Sequence, residues 1–355
     1  MPRHRLAIIG LGMAVTPHAK SLIDLEDRAE VVHAFSPSEA RRRAFAERFP
    51  FPLAADLDTV LSDRDVDAVL ILTPPNTHLD LVRRAAEAGK HVLLEKPLEI
   101  TTERSLEIVR LCRAANVKLG IVLQHRFRPP AKQLRSLIAA GELGPILAAS
   151  AGIRLWRPQT YYDEPGRGTL ARDGGGVLLT QGIHTLDLLL SLVGPAAEVA
   201  SYVTTTPLHR METEDLVVAA LRYRNGALGT VEATTAAFPG YPERIEIVGE
   251  KGTAAIAGPA LKVELADGRK IEIASDAKAG GTGADPMAFP HDWHRDLIAD
   301  FLDAIETGGE PLVNGEEALA VHCLIDALLE SGSTGKPAAV RGGGTAPVSA
   351  GASVR

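Results

Sequence analysis

Residues Ala68-Val69-Leu70-Ile71-Leu72 form an apolar run of strand length with no polar position, and it stops at Thr73-Pro74-Pro75-Asn76. A strand that offers neither face to water has to be covered on both sides, which is the situation of a central strand in a parallel sheet. Such a strand dictates its neighbours, and the chain supplies them. Leu6-Ala7-Ile8-Ile9, residues 30–35, His91-Val92-Leu93-Leu94 and residues 118–123 are further strand-length runs, with a shorter one near Leu53. Helix-patterned segments fall between them at 13–26, 40–48, 57–62, 77–88 and 101–115. Alternating βα units of this length predict a doubly wound parallel sheet over residues 1–123.

In such sheets ligands gather outside the carboxyl ends of the strands. The first strand ends in Gly10-Leu11-Gly12, and Met13 and Ala14 lead into a helix with Pro17 in its first turn. Strand, Gly-x-Gly and helix let backbone N–H groups approach a pyrophosphate at a helix N-terminus. The third small position of that fingerprint is imperfect, since Val15 stands there. The second strand ends at Ser36, where a dinucleotide fold commonly places an acid on the ribose 2′-hydroxyl. A hydroxyl at Ser36 with Arg41, Arg42 and Arg43 one turn on removes repulsion for a 2′-phosphate and adds cations to pair with it. This predicts NADP(H) in preference to NAD(H). A solvated helix face is the bland alternative for the three arginines. The fourth strand runs into Glu95-Lys96-Pro97, so Lys96 sits at a strand end where chemistry is done.

Beyond residue 123 the pattern changes. Gln124-His125-Arg126-Phe127-Arg128 leaves the sheet for a helix at 131–140. Strand patterns follow at 146–154, 199–205, 216–223, 227–233, 245–248, 253–256, 262–265 and 270–273. Turn pairs such as Asn225-Gly226 and Asp267-Gly268 mark hairpins, so residues 124–341 are expected to be an α+β domain with a large, mostly antiparallel open sheet. An open sheet face commonly finds a second copy, which predicts a homodimer or homotetramer. Residues 154–176 read as a long irregular loop carrying Trp156, Tyr161, Tyr162, Arg167 and Arg172 in a chain with only 4% aromatics. Aromatic rings and guanidinium groups on such a loop suit a sugar ring or an anionic substituent. Helices are expected at 291–307 and 315–331, with His294 either lining the cleft or capping its helix. Residues 342–355 are Gly/Ser/Ala-rich and read as a disordered tail.

The bulk numbers exclude several classes. A formal charge of −7 argues against nucleic acid, which needs a basic face. No run reaches the ~18–20 continuous apolar residues of a membrane span, and nothing at residues 1–9 reads as a signal peptide. A cytoplasmic enzyme is expected, with Cys112 and Cys323 buried and reduced. No metal is expected.

Gly10-x-Gly12, Thr73-Pro74-Pro75-Asn76 with His78 close behind, and Gly89-Lys90-His91-Val92-Leu93-Leu94-Glu95-Lys96-Pro97 occur in an order and spacing that resemble the glucose–fructose oxidoreductase / inositol dehydrogenase / rhizopine catabolism (Gfo/Idh/MocA) family. The resemblance continues at Gly174-Gly175-Gly176-Val177-Leu178-Leu179-Thr180-Gln181-Gly182-Ile183-His184-Thr185-Leu186-Asp187 and covers the chain to about residue 335. It implies an α/β enzyme with an N-terminal Rossmann sheet, acting with NAD(P) on a secondary hydroxyl of a sugar, uronate or cyclitol. It also implies that Lys96 reaches the reacting carbon beside a cis Lys96–Pro97 bond. In the family an Asp and a His four residues apart complete the site. Here the histidine is His184 and Thr180 stands in the aspartate's place, which is the main departure.

The catalytic set expected on these grounds is Lys96, His184 and Thr180, with Thr180, His184 and Asp187 on one helix face. His184, lacking the acid, is expected to lean on another acceptor. Cofactor contacts are expected from Gly10, Gly12, Met13, Ala14, Ser36, Arg41, Thr73, Pro74, Asn76, His78, Glu95, Lys96 and Gln124. Substrate contacts are expected from Arg126, Trp156, Tyr161, Tyr162, Arg167 and His184. Two rival readings share the fold. One retains the cofactor and uses transient oxidation for elimination or glycoside cleavage; the other is a dinucleotide-sensing regulator with no use for Lys96 and His184 together.

Overall fold

The structure is a computed structural model, and it describes residues 3–273 and 290–342. The first sheet contains β1 (His4–Ile9), β2 (Ala29–Phe35), β3 (Ala68–Ile71), β4 (His91–Leu94) and β5 (Leu119–Ile121), all parallel, in the order β2-β1-β3-β4-β5. Every residue of β3 is buried, as an uninterrupted apolar run at the sheet centre requires. Leu53 makes a single parallel bridge to Ala34 outside β2. That bridge is the remnant of the short strand expected there, and counting it gives the order 3-2-1-4-5-6 of a dinucleotide-binding sheet.

Helices α1 (Val15–Asp24), α2 (Glu39–Ala46), α3 (Leu57–Ser62), α4 (His78–Glu87) and α5 (Thr102–Ala114) connect the strands. Local chemistry starts several of them. Ser38, Asp56 and Thr101 each accept a hydrogen bond from a backbone N–H in the first turn of the helix that follows. Helix α1 differs, because no side chain caps it and no acid lies in its first turn. Its N-terminal N–H groups are left for a ligand.

After α6 (Pro129–Ala139) a nine-stranded sheet forms from β6 (Ile146–Arg154), β7 (Ala196–Thr204), β8 (Leu216–Tyr223), β9 (Leu228–Thr234), β10 (Arg244–Gly249), β11 (Gly252–Ala257), β12 (Ala260–Leu265), β13 (Lys270–Ile273) and β14 (Ala338–Ala339). Among the described residues only β6 and β9 of this sheet pair in parallel. The segment expected to be irregular holds two short helices, α7 (Gln159–Tyr162) and α8 (Leu170–Asp173). A π-turn, Leu178–Gly182, then leads into α9 (Ile183–Val193). Helices α10 (Asp292–Thr307) and α11 (Gly315–Thr334) return to the first sheet, α10 against α1 and α11 against α5.

One sheet face is covered by α6, α9 and α11. The other shows alternation: β8 buries every second residue and exposes Val218 between them. Tyr202, Val218, Leu228 and Val248 are exposed on this open face. Leu170–Val193 is the one run of the described residues that is long and apolar enough by composition to cross a membrane, and 83% of its apolar window is buried inside the fold. It is a core helix. Cys112 and Cys323 are free and buried, and burial pushes the Cys112 thiol up to about 12. The tail beyond residue 342 lies outside the described residues.

Candidate active site

The carboxyl ends of β1, β3 and β4 open into a cleft of ≈1360 Å³ whose far wall is the π-turn and the start of α9. At one end lies the glycine turn. Gly10 has φ +107°, and a Cβ there would sit 2.7 Å from the Leu72 carbonyl carbon, so only glycine lets β1 and β3 approach so closely. At Gly12 a Cβ would meet nothing nearer than the Arg41 guanidinium at 3.9 Å. An open cradle at an uncapped helix N-terminus fits a pyrophosphate. Met13, Ala14, Ser36, Arg41, Thr73, Pro74, Asn76, Glu95, Lys96 and Gln124 line the same cleft. Gln124 Oε1 is buried with no hydrogen-bond partner among the described residues, a further sign that a polar ligand belongs here.

The three arginines after Ser36 have separate fates. Arg41 faces the cleft, Arg42 donates to the Ser36 carbonyl at 2.5 Å, and Arg43 pairs with Glu39 on the helix surface. His78 is a correction. Its ring is fully buried, with Nδ1 3.1 Å from the carbonyls of Pro97 and Leu98 and Nε2 2.9 Å from that of Thr73. It staples the turn after β4 to the end of β3 and does not reach the cleft.

Lys96 is partly buried, and the Lys96–Pro97 bond is cis. Its Nζ donates to the carbonyl of Thr180 at 2.7 Å. The π-turn is what makes this possible: widening the helix by one residue takes carbonyls out of the ordinary α-helical ladder. The Thr180 hydroxyl does something else, lying 2.7 Å from the Gly176 carbonyl within its own turn. Thr180 therefore serves Lys96 through its backbone, and its hydroxyl is engaged within its own turn by Gly176 and Gln181. Burial lowers the Lys96 pKa, with Glu95 opposing and Arg157 adding to the effect.

Glu95 is held by two bonds. Oε1 lies 2.9 Å from His18 Nε2 and Oε2 accepts from the Lys96 N–H at 3.0 Å. Burial disfavours its charge, but the His18 bond and the nearby positive charges outweigh that and hold the carboxyl below the usual range. His18, Glu95 and His294 bring their ligand atoms within 4.8 Å of one another, a spacing a metal ion can use. Both carboxylate oxygens are already engaged, so the cluster reads as a carboxylate with imidazole support.

His184 lines the cleft, and burial first, then the charges of Lys96, Arg128 and His294, push its pKa well below the usual value. Its Nδ1 has no hydrogen-bond partner among the described residues, so the expected substitute acceptor is not found there. Its ring instead stacks on His125, with centroids 4.7 Å apart and planes at 27°. Asp187 does not share this side. It is buried in an ion pair with Arg126 at 2.6 Å, and Arg126 also bonds Glu317 at 2.9 Å. Arg126, expected to meet substrate, ties the turn after β5 to α9 and α11.

The aromatic segment divides similarly. Tyr161 and Arg167 line the cleft, with the guanidinium 4.2 Å from the ring centroid and 2.7 Å from the hydroxyl. Tyr162 is buried, its hydroxyl 2.8 Å from Thr235 Oγ1, and does not line the main cleft. Trp156 packs edge-on against Phe238 and pairs with Ala236, also away from it. Lining residues not expected as contacts include His125 and Gln181, which lie inside segments noted in the sequence, and Arg157, Asp173 and Glu243. Glu243 lies 3.3 Å from Arg128, whose guanidinium covers the Trp293 ring at 4.5 Å. His294 also lines the cleft, its ring edge-on to His18.

A Rossmann-type parallel sheet, a glycine turn on an uncapped helix and a partly buried lysine and histidine in one cleft define a dinucleotide-dependent oxidoreductase. Residues 4–122 match the oxidoreductase family with an NAD-binding Rossmann fold, and residues 131–255 match the GFO/IDH/MocA C-terminal domain. The chain belongs to this GFO/IDH/MocA family of oxidoreductases. It is 27% identical over 325 residues to the myo-inositol 2-dehydrogenase of Thermotoga maritima, spanning 88% of this chain and 91% of that one. It is 29% identical over 301 residues to the D-xylose 1-dehydrogenase (NADP(+)) 2 of Haloferax volcanii, spanning 84% and 89%. The WlbA dehydrogenase of Bordetella pertussis, solved with NADH and UDP-GlcNAcA, superposes with a TM-score of 0.80 at 28% identity, over 95% of this chain and 99% of that one.

Proposed function

We propose that the protein oxidises a secondary hydroxyl of a sugar, uronate or cyclitol, or reduces the corresponding ketone, with NADP(H) preferred over NAD(H). The observation that carries this reading is the meeting of Lys96 and the His184 helix in one cleft with the open glycine cradle. When bound, the dinucleotide supplies the hydride acceptor or donor. Gly12, Met13 and Ala14 would hold its phosphates through backbone N–H groups, and Thr73 and Gln124, which line the same cleft, would offer it polar contacts. Lys96 lies beside the reacting oxygen, where an ammonium stabilises developing alkoxide more than neutral alcohol. His184, kept neutral by burial, takes the hydroxyl proton. Tyr161 and Arg167 contact the sugar ring or an acidic substituent on it.

The NADP(H) preference rests on Ser36 at the end of β2 and on Arg41 reaching back toward Gly12. The relatives divide on this point: one named enzyme uses NADP(+), while another is a scyllo-inositol 2-dehydrogenase (NAD(+)). The open face carrying Tyr202, Val218, Leu228 and Val248 supports a homodimer or homotetramer built through the second sheet. We take residues 1–123 as the dinucleotide unit and 124–341 as the substrate and assembly unit.

The test is a thermal-shift and absorbance screen of NADP+ and NAD+, each crossed with aldoses, uronates and inositols. Ligands that bind only the native state raise its apparent stability. The expected result is a larger shift with NADP+ and nicotinamide reduction with at least one panel member. Dinucleotide binding without turnover of any member contradicts the reading and favours a sensing role.

A further inference from the structure

We infer that His125 is the positioning residue for His184, orienting its ring by stacking; this rests on the reaction class proposed above. His125 lies in the single turn Gln124–Phe127 immediately after β5, is buried, and lines the cleft. The bonding of its ring settles its tautomer. Arg128 Nη2 is hydrogen-bonded to His125 Nε2. A guanidinium has donors only and does not give up its proton, so Nε2 accepts and carries no hydrogen. The one proton of the neutral ring is then on Nδ1, which lies 3.6 Å from Glu243 Oε2. Glu243 in turn lies 3.3 Å from Arg128 Nη1, and Arg128 is fixed over Trp293. The three side chains lie against one another, Arg128 bonded to both of the others.

A second proton on His125 has to displace the guanidinium. The ring is therefore a neutral plate whose plane is fixed by the Arg128 bond at Nε2, with Glu243 facing Nδ1 at 3.6 Å, beyond a direct hydrogen bond. His184 is the opposite case: its Nδ1 is buried and has no partner among the described residues. A catalytic histidine is ordinarily oriented by what its second nitrogen bonds to. Here that role passes to the face of the ring, against His125 at 4.7 Å. Protonating His125 breaks the Arg128 bond, whereas protonating His184 breaks no hydrogen bond to a described residue, so a proton delivered to the pair favours His184. The charged groups around the stack are Lys96 after β4 and Arg128 and Glu243 at its outer edge, and the further titratable group facing it is the neutral imidazole of His294 on α10. The cations among them oppose a charged His184, so any water admitted beside the ring eases its protonation.

The test compares wild-type protein with His125→Phe and His125→Ala. Phenylalanine keeps the plate and removes both titratable nitrogens; alanine removes the plate. Three quantities are read: NADP+ affinity, the pH profile of kcat/KM on a panel substrate, and the His184 titration by NMR on histidine-labelled protein. The expected result for His125→Ala is a kcat fall of about 10- to 100-fold, the scale of a misplaced catalytic group. Its NADP+ affinity stays within about 2-fold, and the His184 titration and the acid limb of the profile move to higher pH. His125→Phe keeps the limb at its wild-type place and recovers most of kcat. Wild-type kcat and pH profile in His125→Ala overturn the inference. So does loss of the acid limb in His125→Phe, which makes His125 itself the titrating base. The NMR titration needs no substrate, so an unmoved His184 in His125→Ala refutes the stack even if the reaction class is wrong, and a failed substrate screen leaves that readout intact.

Discussion

At the dinucleotide end of the cleft the fold offers backbone: Gly10 packed onto Leu72, Gly12 with empty space above it, and an α1 N-terminus that no side chain caps. At the other end it offers side chains from separate parts of the chain: Lys96 after β4, His125 and Arg128 after β5, Tyr161 and Arg167 from α7 and its following turn, His184 on α9, Glu243 before β10, and His294 on α10. The first end needs only one strand, one turn and one helix to be correct. The second needs both sheets assembled, and its groups are held by one another. Backbone donors suit a phosphate that every relative of a fold must hold, whereas interlocked side chains can be changed one by one to alter the substrate.

The largest expected effect separates the two ends. Lys96→Ala should lower turnover by ~10²–10⁴-fold, the range for losing a proton-handling group, while NADP+ affinity changes by only a few-fold. Stopped-flow or steady-state kinetics beside a binding isotherm checks this. Turnover near wild type breaks the assignment of chemistry to that end. Gly12→Ala is the converse. Its Cβ enters open space, so unfolding by urea should be little changed, within ~0.5 kcal/mol, while both dinucleotides bind more weakly by roughly tenfold or more. Arg41→Ala sharpens the same end further. It should weaken NADP+ by about tenfold and leave NAD+ unchanged, since one charge-assisted bond to a 2′-phosphate contributes on that scale. Equal weakening of both would place Arg41 on the shared phosphates.

The smallest effect per step is the response to acid. Burial lowers the His294 pKa from 6.5 to about 3, with His18 adding to the effect, and it also lowers those of His125 and His184. Below pH 6.5 the unfolded chain binds protons that the folded chain refuses, so stability is fullest above 6.5 and falls as pH drops toward 3. Each imidazole contributes at most about 1.4 kcal/mol per pH unit. The thermal midpoint should therefore be lower at pH 5 than at pH 7.5, and His294→Gln should flatten the dependence. A midpoint that is unchanged or higher at pH 5 contradicts neutral burial of these rings.

The same contrast governs what the sequence could disclose. The glycine turn, the buried β3 run and Glu95-Lys96-Pro97 are local patterns, and each lies where periodicity and turn chemistry put it. His78, Arg126, Trp156 and Tyr162 were candidates by residue type, yet all four are spent on the fold. Their partners are Pro97, Asp187, Phe238 and Thr235, far enough along the chain that no spacing rule connects them. The π-turn escaped notice because one added residue leaves hydrophobic patterning almost intact while moving Asp187 from the Thr180 side into a core ion pair. His125 and Glu243 lie 118 residues apart and meet only across the junction of the two sheets.

The most direct measurement follows the carbinol hydrogen. A panel compound that is turned over is supplied with deuterium on the reacting carbon, and the released dinucleotide is analysed by mass spectrometry. Direct transfer in this cleft predicts one deuterium in each reduced dinucleotide released. A compound that is converted while the released dinucleotide carries no deuterium contradicts the account and supports a redox cycle that retains its cofactor.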